Sequence, residues 1–76
     1  MKTLANLAPG KKAVIKKIQG NNPQLVTRLM ELGMVEGTEI EVSYTSPFGG
    51  ALAIECRGGL IAVRTSDADH IEVFET

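Results

Sequence analysis

The chain has 76 residues, of which 43% are apolar and 22% charged, and its formal net charge is −1. These are the proportions of one small folded domain over residues 1–76 with a thin core, and they exclude a disordered tail. The longest apolar run, residues 60–63, is far short of the roughly 18 residues of a membrane span, and Asn6, Pro9, Lys11 and Lys12 interrupt any signal-like start. The chain is therefore expected in the cytoplasm without inserting in a membrane, and the single cysteine, Cys56, excludes an internal disulfide and fits a reducing compartment.

Turn signals fall at Pro9-Gly10, Gly20-Asn21-Asn22-Pro23, Gly33, Gly37, residues 47–50 and Gly58-Gly59. Residues 11–19 form the first predicted strand, whose imperfect alternation of Ala13, Val14, Ile15 and Ile18 points to a bulge. Asn22 is placed to cap a helix with Pro23 at its first position, and Leu25, Val26, Leu29, Met30 and Leu32 recur at helical spacing. Gly33 follows as a left-handed cap, which brings Met34 against Leu29.

From Glu39 the period changes to two. Ile40, Val42 and Tyr44 alternate with Glu39, Glu41 and Ser43, and Leu52, Ile54 and Cys56 alternate with Ala53, Glu55 and Arg57. Gly58-Gly59 reads as a two-residue hairpin turn returning residues 60–64 antiparallel. Ser66 with Asp69 resembles a shortened capping box over one helical turn, and Ile71 and Val73 then alternate with His70, Glu72 and Phe74. The order predicts a mainly β fold: an SH3-like five-stranded barrel with one helix between strands one and two and a single helical turn before the last strand. Its predicted core is Ile40, Val42, Leu52, Ile54, Cys56, Ile61, Val63, Ile71 and Val73.

Residues 1–28 carry +6 and residues 29–76 carry −7. Lys-rich and Glu-rich strands lying side by side would account for this, each opposed pair contributing about 0.2–1 kcal/mol; the competing reading is a basic surface for an anionic partner.

The sequence holds no phosphate-binding G-x-x-x-x-G-K-[ST] loop, no strand-linked G-x-G-x-x-G and no nucleophile elbow. Strand parity turns Cys56 inward and His70 outward, so the two do not converge on a metal or a nucleophile site. Glu36, Glu39 and Glu41 could hold a hard cation weakly, but carboxylates alternating along a strand are more often its solvated face. Three scattered aromatics, Tyr44, Phe48 and Phe74, without tryptophan and at a pI near 5.7, fit neither a nucleic-acid groove nor a proline-rich peptide groove. A protein without catalysis, cofactor or metal site, acting by binding another protein, is the expectation.

The run Arg28-Leu29-Met30-Glu31-Leu32-Gly33-Met34-Val35-Glu36-Gly37-Thr38, then Ser46-Pro47-Phe48-Gly49-Gly50, Gly59-Leu60-Ile61-Ala62-Val63-Arg64 and Ala68-Asp69-His70-Ile71-Glu72-Val73, resembles the ferrous iron transport protein A (FeoA) family over nearly the whole chain. It departs from that family at Gly49-Gly50-Ala51, where Gly-Asp-Pro is common, and at Glu36, where a proline is usual. The resemblance implies a cytosolic accessory to bacterial ferrous iron uptake that binds the cytoplasmic part of the FeoB permease, which carries a GTPase domain. If it regulates GTP hydrolysis, a trans-acting arginine is the natural device, and Arg28, Arg57 and Arg64 are the candidates. The alternative is a metal-responsive module, since iron-dependent repressors end in a similar SH3-like domain, although 76 residues from Met1 leave no room for a DNA-reading helix pair.

The expected contact surface comprises Gln24, Thr27, Arg28 and Glu31 on the outer helix face, Pro47 and Phe48 in the loop, and Arg57 beside the hairpin turn. Phe48, between a proline and two glycines, either folds back over the barrel end, the more frequent outcome, or stands out as a contact anchor.

Overall fold

The computed structural model describes residues 2–20 and 22–76; Met1, and Asn21 of the predicted Gly20–Pro23 turn, lie outside the described residues. Five strands form one antiparallel sheet: β1 (Lys12–Ile18), β2 (Glu39–Thr45), β3 (Ala51–Cys56), β4 (Gly59–Arg64) and β5 (Ile71–Glu75). The strand order is β4-β3-β2-β1-β5. Helix α1 (Pro23–Glu31) joins β1 to β2, and the short helix α2 (Thr65–Ala68) precedes β5.

Two register shifts explain where the alternation breaks. Between β1 and β5 the pairing passes from Ile15↔Val73 to Lys17↔Glu72, so the extra residue is Lys16. A strand without this bulge would turn Lys17 inward with Ala13 and Ile15; the bulge brings Ile18 opposite Ile71 instead. Between β2 and β3 the pairing passes from Val42↔Ile54 to Tyr44↔Ala53. Tyr44, which shares the parity of Ile40 and Val42 in the sequence, is thereby rotated outward and is 61% exposed.

The sheet curls around Val42, Ile54 and Ile71, all fully buried, with Ile40, Leu52, Cys56, Val63 and Val73 beside them. Of the predicted core only Ile61 is half-buried, at the rim of the cluster on the edge strand. Leu25 and Leu29 of α1, Met34 after it and Ala68 of α2 close over the core, and Ala13 and Ile15 complete it. Leu4 and Leu7 also enter it, from a segment that carries no periodic signal. There residues Leu4–Asn6 make a single 3-10 turn in which Asn6 Oδ1 accepts from the Thr3 amide at 3.0 Å and the Thr3 hydroxyl at 3.1 Å.

The helix is capped at both ends as its sequence predicts. Asn22 Oδ1 accepts from the Leu25 amide at 3.1 Å. At the other end the Met34 amide donates to Leu29 O at 2.8 Å and the Gly33 amide to Met30 O at 3.0 Å, with Gly33 at φ +87°. That is the Schellman pattern, in which a left-handed residue redirects the chain while the last carbonyls keep donors. The following turn closes by Thr38 N donating to Val35 O at 3.0 Å, with Gly37 at φ +88°, and it forms with Glu36 in place of proline.

Two local readings are corrected. The β3–β4 turn consists of Arg57-Gly58, not Gly58-Gly59, because Cys56 pairs with Gly59 and the two positive-φ residues are Arg57 (+54°) and Gly58 (+82°). Positive φ at both corner residues is the type I′ geometry that matches strand twist, and here it forces a non-glycine into the left-handed region. The α2 turn starts at Thr65 with Arg64 as its cap and no side-chain cap bond, so Ser66 does not cap it. The Thr65 hydroxyl donates to Gly49 O at 2.6 Å instead.

Candidate partner-binding surface

The loop after β2 is a turn closed by its own hydrogen bonds. Gly49 N donates to Ser46 O at 3.0 Å and Ser46 N to Ala51 O at 2.9 Å. The Ser46 hydroxyl accepts from Gly50 N at 2.9 Å. Pro47 fixes φ at the first corner, and Phe48 occupies the second with its ring 99% exposed. The folded-back position expected for Phe48 is not adopted: the residue is 99% exposed, on a turn tied to α2 by the Thr65 hydroxyl donating to Gly49 O.

Gln24, Thr27, Arg28 and Glu31 are exposed together on one side of α1, where with Pro23 they line a shallow depression. Arg28 Nη2 binds Asp67 Oδ2 of α2 at 3.0 Å. Because the adjacent Thr65 is bonded to Gly49 O through its hydroxyl and to Gly50 O through its amide (3.1 Å), a chain of contacts runs from the α1 face through α2 to the Phe48 turn. Asp67 and Thr65 are the connecting residues that sequence reasoning missed. They bring segments more than 15 residues apart together, and nothing in the local pattern signals that.

Arg57 stands apart. It lies at the opposite end of β3 from the Phe48 turn, about 20 Å away at some 3.4 Å per strand residue. Its side chain crosses the end of α1, where a Cβ on Gly33 would come within 3.2 Å of Arg57 Cδ. Gly33 O accepts from the Thr38 hydroxyl at 3.3 Å and faces the Cys56 thiol at 3.9 Å. Burial raises the Cys56 thiol pKa above its ordinary value, against a smaller opposing pull from Arg57, so the group is held as a neutral thiol. His70 is exposed in the turn before β5, beside Gly20. Among the described residues no three His, Cys, Asp or Glu side chains come together as metal ligands would, and no helix is long and apolar enough to cross a membrane.

The charge asymmetry of the two halves is resolved inside the fold. Basic β1 lies between β2 and β5, with Lys12 opposite Glu41 and Lys17 opposite Glu72. Lys16 Nζ lies 2.9 Å from Glu72 Oε1 and 5.0 Å from the Phe74 ring centroid, and Gln19 also donates to Glu72. Lys2 pairs with Glu75 at 2.5 Å, with Lys11 at 4.0 Å from its other oxygen. The hydrogen bond from Lys16 lowers the Glu72 pKa, with Gln19 adding to it, and the one from Lys2 lowers that of Glu75.

The fold is thus a small SH3-like barrel that presents an exposed aromatic on a hydrogen-bonded turn and a polar helix face, with Cys56 and His70 standing apart from one another. The model of the FeoA domain matches residues 2–74, and the chain belongs to the FeoA family, ferrous iron transport-related proteins of SH3-like fold. Among solved structures, the FeoA protein of Chlorobium tepidum matches with a TM-score of 0.91 at 30% identity, over 97% of this chain and 70% of that one. Iron(II) transport protein A of Clostridium thermocellum matches with a TM-score of 0.90 at 32% identity, over 99% of this chain and 46% of that one. Stenotrophomonas maltophilia FeoA, solved with zinc and described as an SH3 domain protein, matches with a TM-score of 0.81 at 32% identity, over 96% and 89%. A manganese-dependent transcriptional repressor, 16% identical, shares the fold with a TM-score of 0.92 over 99% of this chain and 41% of its own. Among curated proteins no relative matches the sequence.

Proposed function

We propose that this protein is a cytosolic accessory of bacterial ferrous iron uptake that binds the cytoplasmic part of the FeoB permease, and that its partner recruits it to the inner face of the membrane. The contact surface is the Pro47-Phe48 turn together with Gln24, Thr27, Arg28 and Glu31 of α1. The observation that carries this reading is Phe48, an aromatic residue 99% exposed on a turn held by five hydrogen bonds. Leaving such a ring in water forgoes its burial, whereas on binding it offers about 150–250 Å² of contact area at small cost in conformational entropy. Family membership supports the ferrous iron context, and the Stenotrophomonas protein is described as a candidate activating factor of that transport.

The mode of action is contact. Arg28 is held by Asp67 in the free protein and would exchange that carboxylate for one on the partner. Arg57 would join the same contact only if the partner spans the length of β3.

The test is a calorimetric titration of the purified cytoplasmic part of the permease. Phe48→Ala is expected to weaken binding by roughly 30-fold, the range of an aromatic anchor, and Arg28→Ala by a smaller factor. Unchanged affinity in both variants would place the contact elsewhere on the barrel.

A further inference from the structure

The two edges of the sheet are treated differently. Beside β5 runs the segment before the 3-10 turn: Val73 N donates to Lys2 O at 3.0 Å, Thr3 bridges to Glu72, and the Lys2–Glu75 pair lies across it. That edge is covered and charged. The β4 edge has neither protection. In a two-residue hairpin the flanking pair, Cys56 and Gly59, exchanges both ladder bonds, and bonded pairs recur at every second residue. Ile54 with Ile61 and Leu52 with Val63 follow, in a register without a shift over all six pairs. Leu60, Ala62 and Arg64 therefore direct their N–H and C=O groups away from β3, where among the described residues no further strand pairs with them; of these groups only the Arg64 carbonyl is taken, by the first bond of α2. Residues 59–63 carry no charge and no proline, there is no bulge, and Leu60 is 62% exposed. An apolar, unpaired edge without a bulge is a template for another strand.

We propose that β4 pairs antiparallel with β4 of a second copy, about a two-fold axis through Ala62. This register sets Ala62 opposite itself and Leu60 opposite Arg64, so that each residue with outward backbone groups meets another, and no two like charges face each other across the seam. Beyond the strand ends it carries the Arg57 turn of each copy toward the α2 end of the other, where Asp69 stands. Arg57 and Asp69 are both exposed, and neither has an ion pair among the described residues. One free edge per copy closes the assembly at two. Six-residue strands bury less than a standard interface, so the dimer is weak, with a dissociation constant of roughly 0.1–1 mM. The proposal does not depend on the permease, and Ala62 lies outside the surface assigned to it.

The experiment is sedimentation equilibrium with amide exchange by NMR on the intact chain, from about 10 μM to about 1 mM, a range that brackets such a constant. The expected result is a monomer giving way to a dimer, with slowed exchange at Leu60, Ala62 and Arg64 only in the concentrated sample. Ala62→Pro removes an outward N–H without breaking a bond to β3, and Leu60→Lys adds an edge charge; both are expected to remain monomeric while the Ile61 and Val63 amides stay protected. A wild-type monomer at about 1 mM, species larger than a dimer, or a dimer that survives in folded Ala62→Pro would each overturn the proposal.

Discussion

Gly33 shows how much one residue carries in this chain. Its φ of +87° lets the chain leave α1, and the lack of a side chain lets Arg57 lie across the helix end. A Cβ there meets a left-handed penalty of about 1–2 kcal/mol and a contact of 3.2 Å with Arg57 Cδ. Gly33→Ala is expected to lower stability by about that amount, read as the urea midpoint at constant slope. The double variant Gly33→Ala/Arg57→Ala separates the two causes: the loss remains if the backbone conformation dominates and disappears if the contact does. The glycine cap is legible in the sequence because an amphipathic run ends there. Arg57's position at a positive φ is not, since Gly58-Gly59 offers the more obvious turn and only the Cys56↔Gly59 pairing decides between them.

At the scale of elements, α1 spans nine residues, below the roughly 12–15 at which isolated helices become stable in water. It therefore relies on its caps and on Leu25 and Leu29, both buried. Asn22→Ala is expected to cost about 1 kcal/mol and Asn22→Gly only a few tenths; thermal unfolding measures both, and no loss in Asn22→Ala would show that the Leu25 amide bond is not what stabilises the helix start. Helix and strands are readable because their periods differ. The bulges at Lys16 and after Val42 are readable only in part: the spacing of Ala13, Ile15 and Ile18 announces the first, whereas a regular Ile40-Val42-Tyr44 alternation conceals the second. Tyr44 shares the parity of the core residues Ile40 and Val42, and only the register with β3, which places it opposite Ala53, shows why it faces water.

For the whole molecule, the charge pattern is the feature that connects sequence to stability. Basic β1 between acidic β2 and β5 forms opposed pairs, which offset the like-charged neighbours Glu41 and Glu55 across β2 and β3. Glu72 and Glu75 have folded pKa values below the ordinary carboxylate range of about 4.3. A lowered folded pKa means stability that is present above the unfolded value and lost as pH falls through the folded one. The melting temperature is thus expected to be nearly flat from neutral pH to about 5 and to decline below about 4.3. Glu72→Gln should make that decline shallower; a slope unchanged in both Glu72→Gln and Glu75→Gln would assign acid lability to other groups. The sequence by itself determined the strand and helix order, the caps of α1, most of the core and the family, since all of these are written in local period and in one contiguous run of residues. Only the tertiary structure decided the parity beyond each bulge, the entry of Leu4 and Leu7 into the core, the full exposure of Phe48 and the joining of its turn to Arg28 through Asp67 and Thr65. These depend on pairing between segments far apart in the chain, where a shift of a single residue reverses which side chains face water.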